Sequence, residues 1–287
     1  MLKQRLIASL VIKNDIVVQS IGFNRYLPIG SLKICIENLN RFGIDEIVII
    51  DIDATKEKRT INPYLIEDAT KLSFVPITVG GGIQNKDEIA LLLRSGADKI
   101  IINNTFWTAP HLIREWAEIF GSQCIIVSLD AYENRCYNYL THTLHNEITV
   151  QEATQKAVFC GAGEILLNSV QRDGMKVGLD TMLITELSEI LPIPLIAQGG
   201  VGHVKHIQEG LDIKNLSAVA VGNFFHFTEH SVNIVKGYIQ SQKSHPIRNE
   251  TYANYKDHTF DENGRVSKIS DEKLAKMWFE YHPQEII

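Results

Sequence analysis

An internal repeat constrains the fold of this 287-residue chain more than any other feature of its sequence. The apolar run at residues 76–79 leads into Gly80, Gly81 and Gly82, and residues 194–201 repeat this pattern, with Gly200 lying 118 residues after Gly82. Three further segment pairs recur in the same order at nearly the same offset: 7–11 with 126–130, 43–47 with 161–165, and 96–104 with 216–223. Four matched strands in each half predict two half-barrels.

Strand-like apolar runs alternate with amphipathic helical stretches from the N-terminus to about Gln242. This alternation is typical of parallel strands that are joined by crossover helices. The predicted strands are 6–13, 46–51, 76–79, 99–102, 124–130, 164–168, 194–197 and 217–221, and clear predicted helices are 32–42, 86–95, 110–120, 149–161 and 180–190. Eight strands in about 240 residues predict an α/β fold, a (β/α)8 TIM barrel of two half-barrel repeats spanning residues 1–243.

Two segments depart from the plain repeat. Alternating residues at 136–141, after the fifth strand, predict a small hairpin on the catalytic face. The C-terminal extension, residues 244–287, is polar with aromatics, contains a predicted turn at 261–264 and a predicted helix at 270–282. Leu274, Met277, Trp278 and Tyr281 would share one face of that helix. The helix either docks on the wall of the barrel or binds a partner protein, and the sequence leaves both interpretations open.

Charge and hydropathy narrow the classes of partner. A net charge of −6 without any block of Lys or Arg argues against a general nucleic-acid surface or an anionic membrane. The apolar stretch at 6–12 is far short of the roughly 18–20 residues that span a bilayer, and no small-residue cleavage site follows it. We therefore expect a cytoplasmic protein whose partners are small molecules or other proteins. Four cysteines without metal-ligand spacing predict reduced thiols: Cys35, Cys124, Cys136 and Cys160.

Functional groups of such barrels gather at the carboxyl ends of the strands. Glycines there let backbone N–H groups approach an anion, and a following helix adds its dipole. Two glycine-based phosphate sites are predicted on opposite sides of the barrel, one after the third and fourth strands and one after the seventh and eighth. Together they suit a ligand with a phosphate at each end. Either group alone could equally be a structural turn. The predicted phosphate and substrate residues are Gly80, Gly81, Gly82, Asn103, Asn104, Asp173, Gly174, Gly199, Gly200, Gly222 and Asn223.

Asp130 is the candidate catalytic residue, because it ends an otherwise apolar strand where a carboxylate can act as general acid or base. A structural Asp held by hydrogen bonds or an ion pair is the other interpretation. Val11 occupies the matched position in the first half and has no proton to give. Two-carboxylate acid/base catalysis therefore cannot be carried out by this symmetric pair, and the sequence leaves open whether Asp51 or Asp53 supplies the second group.

The chain from Met1 to about Arg248 resembles the cyclase subunit family of imidazole glycerol phosphate synthase, the barrel that histidine biosynthesis couples to a glutaminase. The resemblance is carried by motifs spread along nearly the whole barrel, at residues 78–83, 96–99, 120–123, 161–167, 172–174 and 225–227. It implies a glutaminase partner at the amino-terminal face, a phosphorylated small-molecule ligand at the other face, and neither a metal nor an organic cofactor.

The resemblance also implies a path for ammonia through the middle of the barrel. A gate of four charged residues would guard its entrance, and Asp98 would contact the glutaminase. Four charges on the lower ends of strands are costly to bury unless they are paired, so a generic salt-bridge cluster is the other interpretation. The gate positions in this chain are Arg5, Glu46, Lys99 and Glu164.

The catalytic centre departs from the family pattern. The family uses two aspartates, at the positions of Val11 and Asp130, and only Asp130 is present here. Gln19 stands where the flexible first loop normally carries a lysine, and Asn168 stands where a threonine is usual. Loss of one general acid or base costs on the order of 10²–10⁴ in rate.

These departures resemble the divergent branch of the family that is found with bacterial surface-sugar genes. That branch implies a barrel and glutaminase that supply ammonia to a third enzyme, a sugar amidotransferase that installs an acetamidino group. The alternative is a genuine histidine-pathway cyclase, which closes an imidazole ring and releases aminoimidazole carboxamide ribotide. A third hypothesis is an unrelated phosphate-binding isomerase on the same barrel, which would not need the four gate residues.

Overall fold

A computed structural model describes residues 4–226, 230–243, 245–249, 251, 255 and 258–276 of the chain. In chain order its strands are β1 (Arg5–Lys13), β2 (Ile16–Ile21), β3 (Arg25–Gly30), β4 (Glu46–Asp51), β5 (Ile77–Gly80), β6 (Lys99–Ile102), β7 (Ile125–Tyr132), β8 (Arg135–Asn138), β9 (Thr143–Thr149), β10 (Glu164–Ser169), β11 (Leu195–Gln198) and β12 (Leu216–Val221). Its α-helices are α1 (Leu32–Arg41), α2 (Pro63–Thr70), α3 (Lys86–Arg94), α4 (Asn104–Thr108), α5 (Pro110–Phe120), α6 (Val150–Phe159), α7 (Thr181–Ile190), α8 (Val204–Asp212), α9 (Ser231–Ser241) and α10 (Asp271–Leu274).

Eight parallel strands close into a barrel, in the order β1, β4, β5, β6, β7, β10, β11 and β12. Strand β1 pairs with β4 on one side and with β12 on the other, so the first and last barrel strands complete the ring. These strands are apolar runs because both of their faces are covered, one by helices and one by the barrel interior. The predicted (β/α)8 barrel is confirmed.

The barrel interior has an apolar layer, which we call the apolar collar. Successive residues of a strand face opposite sides, so only alternate residues point inward. The collar consists of Ile7, Val48, Ile101, Ile126, Leu166, Ile196, Ala218 and Ala220, all of them buried. A larger apolar cluster fills the space between the strands and the surrounding helices.

Local signals fix the helix starts. Asn85 and Glu88 form a capping box at the start of α3, and Thr149 and Glu152 form another at the start of α6. Each box satisfies backbone N–H groups that have no partner inside the helix. The predicted helices therefore agree with the observed ones to within one or two residues at their ends.

Two antiparallel hairpins extend from the carboxyl ends of β1 and β7. Strands β8 and β9 form a hairpin where the alternation at 136–141 predicted one. Strands β2 and β3 form a second hairpin, whereas sequence reasoning treated the segment around Gln19 as a flexible loop. Gly22 and Phe23 make its tip with left-handed φ values of 59° and 56°. Its strands were missed because the Ile16–Ile21 run lacks a clear alternation of polar and apolar residues.

The described part of the C-terminal extension packs against the outer wall of the barrel. Phe260 makes an edge-on contact with Tyr238 of α9, with 5.6 Å between ring centroids. Ile247 is buried, and Gly264 leaves no room for a side chain beside Val204 of α8. Of the predicted helix at 270–282 the structure shows the short helix α10, and the part from residue 277 onward, with Met277, Trp278 and Tyr281, lies outside the described residues. No helix of the described ranges has the length and apolar character to cross a membrane.

Candidate functional site

The four residues predicted as a gate lie together at the amino-terminal end of the barrel and form ion pairs. Arg5 donates to Glu46 at 2.7 Å and to Glu164 at 2.9 Å, from its two terminal nitrogens. Lys99 lies 2.6 Å from Glu164 and 3.6 Å from Glu46. Burial alone would raise the pKa of Glu164, but hydrogen bonds and charges from Arg5 and Lys99 outweigh it and hold that pKa below its usual range. Two cations and two anions therefore form a neutral ring with one loose contact, between Lys99 and Glu46.

Asp98 precedes this ring at the same end of the barrel. Its side chain accepts a hydrogen bond of 2.8 Å from the backbone N–H of Ile77. The residue is exposed. The structure thus places a fixed carboxylate on the surface beside Lys99.

Asp130 lies at the opposite end, on β7, and is only 6% exposed. The amide of Asn103 donates to its Oδ2 at 2.8 Å. Burial, with a smaller contribution from the charge of Asp173, raises the pKa of Asp130 to about 7, against the lowering effect of the Asn103 hydrogen bond. A carboxyl group that titrates near neutral pH can both give and take a proton.

The three positions considered for a second acid lie on β1 and at or just after the end of β4, and none of them holds an unpaired carboxylate. Val11 lines the same cavity of about 130 Å³ as Asp130, and presents only methyl groups to it. Asp51 is held by Arg59 at 2.5 Å and accepts the backbone N–H groups of residues 53 and 54. Asp53 is paired with Lys13 at 2.8 Å. Both candidate substitutes for the missing acid are therefore bound in ion pairs.

The first glycine group lies at the end of β5. Gly81, Gly82, Asn103 and Asn104 line the cavity of Asp130, whereas Gly80 does not. A Cβ atom on Gly82 would lie 1.8 Å from the carbonyl oxygen of Arg59, so close packing of protein backbone is enough to require glycine there. The side chain of Asn103 is turned to Asp130. On this side the structure supports the turn interpretation as well as the phosphate one.

The second glycine group lines a neighbouring cavity of about 240 Å³. Gly199 and Gly200 have left-handed φ values of 103° and 94°, and a Cβ on either would collide with backbone oxygens. The predicted residues that line this cavity are Asp173, Gly174, Gly199, Gly200, Gly222 and Asn223. The two cavities share wall residues, so they form adjoining halves of one concave surface: Val11, Ser20, Asp173 and Gln198.

The β2–β3 hairpin is fastened to two of the predicted ligand residues. Ser20 donates from its hydroxyl to Asp173 at 2.6 Å. Asn223 donates to the carbonyl of Ser20 at 2.7 Å and accepts from its N–H at 3.3 Å. Burial raises the pKa of Asp173, although hydrogen bonds from Ser20 and the hairpin backbone oppose the shift. Gln19, one position earlier, lines neither cavity.

Several site residues were not found from the sequence. Lys13, Phe23 and Tyr26 reach the cavity of Asp130 from β1 and the β2–β3 hairpin, and Gln198 reaches it from β11. Burial raises the pKa of Tyr26 to about 12, so it is a neutral hydroxyl at physiological pH. Gln198 directly precedes Gly199, and its place at a strand end was the signal that could have revealed it.

Comparison with known families matches residues 5–231 to the family described as histidine biosynthesis protein. A Vibrio vulnificus protein, provisionally named imidazole glycerol phosphate synthase subunit hisF2, is 40% identical over 269 residues, covering 92% of this chain and 98% of its own. The imidazole glycerol phosphate synthase subunit HisF of Bacillus cereus is 40% identical over 240 residues, covering 82% and 95%. HisF of Clostridium botulinum is 36% identical over 247 residues, covering 84% and 98%. The chain belongs to the histidine biosynthesis protein family, and within it to the HisF-like cyclase family of imidazole glycerol phosphate synthase.

Proposed function

We propose that this chain is the barrel subunit of a two-protein ammonia-transfer system. A HisH-like glutaminase would dock at the amino-terminal face and release ammonia into the barrel, and a phosphorylated ligand would receive it at the carboxyl face. One observation carries the proposal. Along the barrel axis the chain stacks a neutral ring of four charges, the apolar collar, and a polar floor that contains Asp130.

This order of layers suits a small neutral molecule. The apolar collar offers no partner to an ion, which would lose its hydration there at a cost of several kcal/mol. Ammonia lacks that charge, and two collar positions are the small residues Ala218 and Ala220. The loose 3.6 Å contact of Lys99 with Glu46 is the weakest side of the ring, and we infer that the ring opens there. Asp98, exposed beside Lys99, is the proposed contact for the glutaminase.

The recipient site is proposed to hold phosphate at both glycine groups. The second cavity supports this better than the first, because Gly199, Gly200 and Gly202 line it just before the start of α8, where helix N–H groups favour an anion. The ligand would then cross Asp130 between the two groups, since the cavities share a wall.

The lack of an unpaired carboxylate at the positions of Val11, Asp51 and Asp53 favours the divergent role, in which ammonia is supplied for acetamidino-sugar synthesis in surface polysaccharide. Val11 gives no proton, and Asp51 and Asp53 are both ion-paired. The lengths of the matches to the relatives agree with this divergent role. Because 92% of 287 residues is about 264, the match to the hisF2 protein reaches into the extension, whereas the HisF relatives cover 82% and 84%.

The extension is proposed as a second domain, residues 244–287, that docks the third protein, a sugar amidotransferase. Its described part is already anchored on α8 and α9, which would hold the remainder near the barrel. Removal of residues 244–287 should abolish capture of that enzyme in a pull-down while capture of the glutaminase continues. Retention of both partners by the shortened chain would refute this role.

The alternative is a genuine histidine-pathway cyclase, and the pKa of Asp130 near 7 favours it, because that group alone can serve as acid and base. The test measures ammonia-dependent turnover of the phosphoribulosyl aminoimidazole carboxamide ribotide by the full chain, with Val11→Asp and Asp130→Asn beside it. We expect no wild-type turnover and some activity in Val11→Asp. Wild-type turnover that is abolished by Asp130→Asn would establish the cyclase instead.

The ammonia path is tested separately, by mixing the chain with the glutaminase and measuring glutamine hydrolysis. We expect complex formation and faster hydrolysis, with both effects weakened by Asp98→Ala. Asp87→Ala, which removes an exposed carboxylate on α3, is the matched control. If no complex with any HisH-like glutaminase forms, the proposed function is wrong.

A further inference from the structure

We propose that Asn168 and Gln198 bind a nitrogen group of the ligand or of the transferred ammonia, through hydrogen bonds donated by its N–H groups. The inference rests on the proposed function only for the direction from which ammonia arrives. Its structural basis is a row of three side chains on adjacent strands: Asp130, Asn168 and Gln198.

Strand register places these three side chains side by side. Asn168 of β10 is paired with Asp130 of β7 on one side and with Gln198 of β11 on the other. Neighbouring strands lie about 4.8 Å apart, so residues in register on one face are close neighbours. All three line one cavity. Leu166 and Ile196 of the apolar collar lie two residues before Asn168 and Gln198, so the row forms the next layer above the collar.

The amide oxygens of the row are buried and have no partner within the described residues. Asn168 Oδ1 and Gln198 Oε1 make no hydrogen bond, and neither does Ser9 Oγ, which faces the adjoining cavity. Asn168 is only 6% exposed. A buried acceptor without a donor destabilises the fold, and native proteins retain few of them. These acceptors therefore point to a donor that the chain itself does not supply.

The chemistry of the row selects the class of group it can hold. Amide and carboxyl oxygens accept from N–H, whereas an anionic phosphate or carboxylate placed there would meet Asp130 and two carbonyl dipoles. The amide of Asn103 already donates to Oδ2 of Asp130, whereas the buried amide oxygens of Asn168 and Gln198 have no donor within the described residues. Two sources of such a donor fit the location. They are ammonia that leaves the collar, and an amino or carboxamide edge of the ligand that crosses the cavity.

The test is the thermal unfolding midpoint of the full chain in matched pairs of probes. Ammonium chloride is compared with tetramethylammonium chloride, which has no N–H, and 5-aminoimidazole-4-carboxamide is compared with 1-methylimidazole. A ligand that binds only the folded state raises the midpoint. We expect one or both donors to raise it above its matched probe by about 2–4 °C at saturation. A shift with ammonium identifies delivered ammonia, and a shift with the heterocycle identifies the ligand edge.

Two variants assign the shift to the row. Asn168→Leu and Gln198→Met keep a side chain of similar length and remove the acceptor, and each should abolish the difference between donor and non-donor probes. Without probes both should unfold at the wild-type temperature or above, because an unsatisfied acceptor is removed. Thr154→Val is the matched control. Its buried hydroxyl has a partner, the carbonyl of Gln151 at 2.7 Å, so this variant should unfold earlier and keep the probe response.

Equal midpoints in donor and non-donor probes, or a full donor shift in both variants, would overturn the inference. Lower unprobed midpoints in both variants would also count against it, since that result would mean that the amides stabilise the fold. The outcome is separable from the proposed function. The heterocycle comparison stands even if no glutaminase binds, and glutamine-dependent transfer through the barrel can succeed although neither probe binds.

Discussion

At the scale of single residues, the side chains closest to Asp130 in the strand register are neutral, although charged groups could have stood there. Where a second carboxylate could have stood, Val11 lies with its methyl groups in the cavity, and the neighbouring positions in register with Asp130 carry the amides of Asn168 and Gln198. Burial of the Asp130 carboxyl disfavours its charged form, and the nearby charge of Asp173 adds to this effect, so the group keeps its proton to a higher pH than usual. Asp130 is thereby made sensitive to small changes around neutral pH.

The raised pKa of Asp130 predicts a pH-dependent stability. Its ordinary pKa is 3.8 and burial raises it to about 7, so the folded state binds more protons than the unfolded state between these values. The free energy of unfolding should therefore fall as the pH rises from about 4 to 7, by up to about 4 kcal/mol from this group. Urea unfolding at several pH values should show that Asp130→Asn flattens this slope. Glu118→Gln, an exposed site on α5, should leave the slope unchanged, and an unchanged slope in Asp130→Asn would contradict the assignment.

At the scale of elements, the β2–β3 hairpin matters most, because it couples the first barrel strand to the two ligand residues Asp173 and Asn223. The eight barrel strands were predictable from the sequence, since burial on both faces leaves continuous apolar runs such as residues 47–50 of β4. The hairpin was not, because what orders it is contact with residues about 150 and 200 positions away. The pattern of polar and apolar residues within the hairpin does not indicate such long-range contacts.

The same reasoning explains which parts of the site could be predicted. Asp130 and the glycines stand out because a charge or a glycine interrupts an apolar run at a strand end. Ser20 and Tyr26 belong to the hairpin, and their place in the site depends on how it folds over the cavity. The ion pairs that occupy Asp51 and Asp53 also arise only in three dimensions, through Arg59 and Lys13.

Loss of the hairpin contacts should be visible in hydrogen exchange. Ser20→Ala removes the donor to Asp173 and leaves a buried carboxyl with weaker partners, which costs about 1–3 kcal/mol. We expect the free energy of opening of residues 16–30 to fall by that amount, so that their amides exchange roughly ten- to a hundredfold faster. Asn62→Ala, at the N-cap of α2, should not change exchange in the hairpin. Equal exchange in Ser20→Ala and the wild type would show that the hairpin is held by other contacts.

At the scale of the whole molecule, the barrel is organised as a stack of layers with opposite chemistry at its two ends. The charged ring draws its four members from strands in both halves of the chain, β1, β4, β6 and β10. Its charges balance only when all four are present. Removal of one member therefore affects the ring as a unit.

Lys99→Met should show this coupling. The variant leaves Glu46 and Glu164 to share Arg5, and the free energy of unfolding at neutral pH should fall by about 1–3 kcal/mol. Because Lys99 helps to hold the pKa of Glu164 below its usual range, the loss should shrink as the pH falls and that carboxyl is protonated. Chemical denaturation of both forms at pH 7 and pH 4 measures this difference. A Lys71→Met variant, whose ion pairs are exposed on the surface, is the control and should lose little at either pH.

Pairing of the first and last barrel strands has a consequence for synthesis on the ribosome. Strand β1 emerges first, and one of its edges has no partner until β12 has been translated. Until then the nascent chain carries an open strand edge, and the unpaired backbone N–H and C=O groups of that edge favour association with other chains. The pairing of β1 with β12 therefore covers this edge only after the last strand has been made, and slow translation of that strand would lengthen the interval in which such association can occur.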